Sequence, residues 1–167
     1  SDDGVGNHGT VLIGDKVGLR MRGEGNLLLG DAGNDSMAGL FNTAAGASAL
    51  LANTTGEYNT ALGLRALGSN TDGVQNTAVG VDALFSNVPG SFNTALGVQA
   101  LLSNTTGEYN TALGLRALQS NTNGVQNTAI GVDALHSNRE GGFNTALGVQ
   151  ALYSSTSDRN IGIGYRA

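Results

Sequence analysis

The chain has 167 residues with a net charge of −5, 27 Gly, no Cys, no Trp and 13% charged residues. Absence of cysteine excludes disulfides, thiolate catalysis and cysteine metal sites together. No apolar run approaches the ~18 residues of a membrane span, and the eight Lys and Arg stand singly instead of forming the basic stripe that phosphate binding needs. Neither a membrane span nor a nucleic-acid partner is therefore expected.

Residues 1–41 come first and are loosely patterned. Thr10-Val-Leu-Ile-Gly14 and Asn26-Leu-Leu-Leu-Gly30 read as strands, each 16 residues from the next start. This segment is expected to be a lead-in or cap made of looser turns. The Gly-rich pieces Gly4-Val-Gly6 and Gly23-Glu-Gly25 lack the strand–Gly–helix context and the Lys of a phosphate loop.

From Asn42 the chain repeats every 17 residues as N-T-A-L-G-x-x-A-L-x-S-N-T-x-G-x-x, with starts at Asn42, Asn59, Asn76, Asn93, Asn110, Asn127 and Asn144. A short strict period marks a stacked fold in which each turn touches mainly its neighbours. Residues 42–159 are thus expected to form a β-solenoid or β-roll, and 160–167 an incomplete last turn. Starting at Ser1 and stopping mid-turn, the sequence reads as a fragment of something longer.

Within a turn, N-T-A-L-G reads as a short strand. Alternation places Thr60, Leu62 and Leu64 on one face and Ala61 and Gly63 on the other. The Ala/Gly face (Ala61, Gly63, Ala78, Gly80, Ala95, Gly97) then either accommodates a tight bend in a sparse core or packs against other subunits. Next comes x-x-A-L-x-S-N, with apolar positions six and nine; their i, i+3 spacing favours a single helical turn over a second short strand. The closing S-N-T-x-G-x-x is turn chemistry.

Equivalent residues of stacked turns lie ~4.8 Å apart. Asn is therefore expected in two ladders, one through Asn59, Asn76, Asn93, Asn110 and Asn127, the other through Asn70, Asn87, Asn104 and Asn121. Amide ladders of this kind stabilise stacked β structure. Position seven sets Arg65 beside Asp82 and Arg116 beside Asp133, exposed pairs contributing at most ~1 kcal/mol each. The last position carries Phe41, Tyr58, Phe92, Tyr109 and Phe143, a column fit either for wedging the turn against a neighbouring subunit or for a receptor platform.

Residues 52–102 and 103–153 match at 42 of 51 positions, so three turns are duplicated as a unit. Seven of the nine differences fall at positions ten, thirteen, fourteen and sixteen, as in Phe85/His136, Val88/Arg139 and Pro89/Glu140. The scaffold columns are held while the tips differ, and the tips are where recognition is sought.

Residues for catalysis do not converge. His8 and His136 are isolated, and paired carboxylates across a scissile bond are approached only by Glu57 and Asp72, with Asn123 replacing Asp72 in the second block. No enzyme activity, cofactor or metal is expected.

The run N-T-A-L-G-V-Q-A-L-L-S-N-T-T-G-E-Y-N-T-A at 93–112 resembles repeats of bacterial proteins that carry a phage tail-fibre chaperone domain. More distantly it is similar to the head repeats of trimeric autotransporter adhesins. The resemblance implies a β-solenoid with three parallel chains side by side, in an extracellular fibre that holds a tip at a distance and binds a host-surface glycan or receptor. The adhesin heads use a 14-residue turn, so the longer turn and its Ala-Leu element here depart from that pattern. A physical argument also favours a homo-oligomer, because one turn offers few sizeable apolar side chains for a core of its own. Two alternatives stay open. One is an extracellular filament subunit stacking end to end. The other is ice recognition through the Thr rows, weakened if Thr60 faces the core with Leu62.

Overall fold

A computed structural model describes residues 9–13, 16–22 and 25–167. Among these the protein is all-β, without a helix, and forms one continuous 11-stranded sheet in strict sequence order. Strands β1 (Gly9–Ile13), β2 (Lys16–Arg22) and β3 (Asn26–Leu29) pair antiparallel. From β3 onward every pairing is parallel and joins equivalent residues of successive turns. β4 (Thr43–Ala45) adds to β3, and β5 (Thr60–Leu62) to β4. β6 (Thr77–Val79), β7 (Thr94–Leu96), β8 (Thr111–Leu113), β9 (Thr128–Ile130), β10 (Thr145–Leu147) and β11 (Ile161–Ile163) follow in the same way. The product is a β-solenoid of 17-residue turns, and its parallel stack already starts at Asn26, where the hairpin strands of the lead-in end.

From β4 onward each strand is three residues long because the turn chemistry around it leaves no room for more. Position five, a Gly with φ of 128–140° in turns such as Gly46, Gly63 and Gly97, bends the chain immediately after the strand. A Cβ on Gly63 would lie 2.6 Å from the carbonyl oxygen of Gly80 in the next turn, so glycine is required for stacking as well as for φ.

The x-x-A-L-x-S-N element corrects the helical expectation. It is a succession of turns in which positions seven and nine take left-handed backbone, for example Arg65 at φ 56° and Leu67 at φ 50°. Its N–H groups reach across to adjacent turns or close short i→i+3 loops; Leu67 N donates to Ala83 O, and Asn70 N to Leu67 O. Non-glycine residues in this region cost ~1–2 kcal/mol each. The burial of Leu67 and its counterparts, together with the cross-turn hydrogen bonds, offsets that cost.

The core is a narrow column. Each regular turn contributes two alanines and one leucine, Ala61, Ala66 and Leu67 in the second turn, all with no exposed surface. Ala61, Ala78 and Ala95 therefore point inward, and Thr60 and Leu62 outward, so of the two readings of the Ala/Gly face the sparse core is the one realised. The physical reason lies one residue earlier. Asn59 is buried, and alternation puts Ala61 on the same side.

Candidate interaction surfaces

Two asparagine ladders brace the interior. At position one, the Asn59 backbone N–H and Nδ2 both donate to Asn42 Oδ1, at 2.9 and 3.1 Å, while Nδ2 also donates to Gly73 O at 2.8 Å. The pattern recurs at Asn76, Asn110 and Asn127; at Asn93 the contact to the preceding side chain is made by the backbone N–H, and Nδ2 bonds Gly107 O. At position twelve, Asn70 donates to Asn53 Oδ1 and to Gly73 O, and Asn87, Asn104 and Asn121 repeat this one turn on each time. The two ladders thus converge on the same position-fifteen carbonyl, and all nine predicted ladder asparagines are buried. In the last turn Ser155 stands where the ladder asparagine would, leaving Asn138 Oδ1 without a partner, and Asn144 Nδ2 is unpaired where that turn shortens to 16 residues.

The predicted seam residues occupy the interior. Ala61, Ala78 and Ala95 are sealed in the core, and the Cβ space of Gly63, Gly80 and Gly97 is filled by carbonyl groups of the chain's own next turn. Their bareness serves stacking within one chain, so they present no packing face to a neighbour.

Three outward surfaces remain. The first is the strand face and its continuation past the bend, formed by positions two, four and six. It carries Thr, then an aliphatic residue, then another, as in Thr111, Leu113 and Leu115, the two leucines being 44% and 43% exposed. Among the described residues the hydroxyls of this Thr column make no hydrogen bond, unlike those at position thirteen, where Thr54, Thr105 and Thr122 donate to the carbonyl of the next turn.

A second surface follows positions seven and ten. Arg65 grips Asp82 in a two-pronged ion pair, Nη2 to Oδ2 and Nε to Oδ1 both at 2.7 Å. Arg116 holds Asp133 identically at 2.8 Å. Both aspartates are largely buried while the arginines are about half exposed, so these are stronger than the exposed pairs expected from sequence. The guanidinium of Arg65 also lies 5.4 Å from the Phe85 ring centre, and the His136 ring stacks on Tyr153 at 4.8 Å. His136 sits in no metal cluster, and none exists among the described residues; His8 lies outside them.

The third surface is the aromatic column at position seventeen. Phe41 stacks on Tyr58 at 5.1 Å and Phe92 on Tyr109 at 4.8 Å, nearly parallel. Arg159 lies over the Phe143 ring. The facing sides of each ring pair are spent on each other along the axis, and the outer side of Phe41 abuts Gly25. Ring edges, not open faces, are what this column offers outward. Glu57 and Asp72 are not joined by any contact.

No family model, curated protein or solved structure matches this chain.

Proposed function

We propose that this β-solenoid is a structural segment of an extracellular fibre, a shaft or head of the tail-fibre or surface-adhesin kind, built from copies of itself and non-catalytic. The observation that carries the reading is the double asparagine ladder, which ties each turn to the next through buried side-chain amides as well as through the parallel strands. Such a rod resists bending and axial extension, because any opening between turns breaks backbone and side-chain bonds together. Adhesion belongs to the tips at positions thirteen and fourteen, where the duplicated blocks differ and a glycan or receptor is to be sought.

Negative-stain electron microscopy and sedimentation of the purified chain test this. Discrete short rods with a trimeric mass are expected; a globular monomer overturns the reading. Long end-to-end fibres favour the filament alternative.

A second reading has a specific observation behind it. The Thr column at position two faces outward with free hydroxyls at a regular ~4.8 Å step, beside aliphatic columns, and so is available to an ordered water lattice. Thermal hysteresis from a monomeric chain is the outcome this reading requires.

A further inference from the structure

Resting on the fibre reading, we infer that copies of this chain associate through the ridge formed by positions four and six, lying parallel and in register. The position-four column of one copy packs against the position-six column of the next.

Position four, position six and the Thr column carry no charged residue from β4 to β11, whereas every other outward surface carries Arg, Asp or Glu. Along the ridge, pairs such as Leu62/Leu64, Leu96/Val98 and Leu147/Val149 are all more than a third exposed. With the Thr column beside it, the face follows four residue rises and is at most ~13 Å across because the chain bends at position five, and eight strands stacked at ~4.8 Å extend it ~38 Å. Its footprint, Thr column included, is therefore at most ~500 Å², within the 300–600 Å² range of the largest patches on monomers.

The periodicity selects the occupant. Rows of aliphatic side chains at a ~4.8 Å step interdigitate best with a surface of the same step, and a second copy has that step by construction. Order across the ridge selects the orientation. Position two lies beyond position four, and position seven beyond position six. Parallel copies that pair four with six bring the Thr hydroxyls of one beside the position-seven Arg, Asp and Gln side chains of the next, each able to hydrogen-bond a hydroxyl. Antiparallel copies pair like columns and set position-seven columns against each other in reversed order, leaving the Thr hydroxyls facing Thr.

The test uses the natural absence of cysteine. Chains carrying Leu113→Cys and Leu115→Cys are co-expressed and oxidised, and a Leu113→Glu/Leu115→Glu/Leu96→Glu variant is sedimented beside the parent. We expect a disulfide between the two different variants in large excess over that within either one alone. The glutamate variant is expected to fall to a monomer with an unchanged circular dichroism spectrum. An oligomeric parent with no mixed disulfide and an oligomeric glutamate variant overturns this seam while leaving an assembled fibre standing. A preference for disulfides within one variant overturns the parallel orientation. A monomeric parent overturns both the seam and the fibre reading. Should the glutamate variant unfold, the cysteine pair still decides, because it keeps the ridge apolar.

Discussion

Replacing Asn110 with alanine tests the ladder directly. Four hydrogen bonds disappear: Nδ2 to Asn93 Oδ1 and to Gly124 O, and those that Oδ1 accepts from the Asn127 N–H and Nδ2. Three of the abandoned groups keep a partner. Asn93 Oδ1 still receives the Asn110 backbone N–H, Gly124 O still receives Asn121 Nδ2, and Asn127 Nδ2 still reaches Gly141 O. Only the Asn127 backbone N–H is orphaned. One orphaned buried donor costs ~1–3 kcal/mol and each of the other lost bonds ~0.5–1.5 kcal/mol net, so the total is about 4 kcal/mol. Asn110→Asp keeps Oδ1 but turns a second acceptor toward Asn93 Oδ1 and Gly124 O. It is expected to be worse than alanine at neutral pH, since a lone buried carboxylate is costlier than a lost bond. Chemical denaturation gives the global loss, and amide exchange reads the turns on either side, where a solenoid opens locally. Asn123→Ala, at an exposed tip, is the control and changes stability by less than ~0.5 kcal/mol. A loss below ~1 kcal/mol for Asn110→Ala, with no faster exchange at Asn127, refutes the ladder as a stabilising device.

Three further outcomes are expected. Leu101→Ala empties the one leucine site in its turn's core and lowers stability by about 3 kcal/mol, whereas Leu113→Ala on the outer face costs a monomer less than ~0.5 kcal/mol; thermal melts of the two variants report which face is inside. Gly73→Ala drives a Cβ to within 2.4 Å of both Asn70 Oδ1 and Gly90 O, beyond what backbone adjustment absorbs, and a loss above ~3 kcal/mol in urea denaturation is expected. Gln126 sits at φ 55°, so Gln126→Gly removes left-handed strain and raises the unfolding midpoint, by at most ~1 kcal/mol, while Gln126→Val lowers it.

The period, the turn length and the Asn columns were legible because a strict repeat forces equivalent residues into axial register, whatever the cross-section of the turn. Orientation at Leu62 and Ala61 stays open in the sequence. A period-2 strand with Thr and Leu on one side and Ala and Gly on the other says only that two faces differ, not which of them is inside. The deciding signal was present in the sequence. If Asn59 bonds its neighbours in a buried ladder, then Ala61, two residues on, must share its side and Leu62 must face out. The x-x-A-L-x-S-N element was misread. An i, i+3 apolar spacing suits a helical turn, but position nine takes left-handed backbone, which nothing in the identity of leucine announces.

The sequence by itself thus determined that this protein is a stack, how tall each turn is along the chain, and which side chains line up between turns, since those follow from repetition alone. Only the tertiary structure decided what lies inside. One leucine, two alanines and two amides close each turn, because backbone hydrogen bonds across turns draw the chain too tight for larger side chains. The aliphatic residues left over stand outside in two continuous rows.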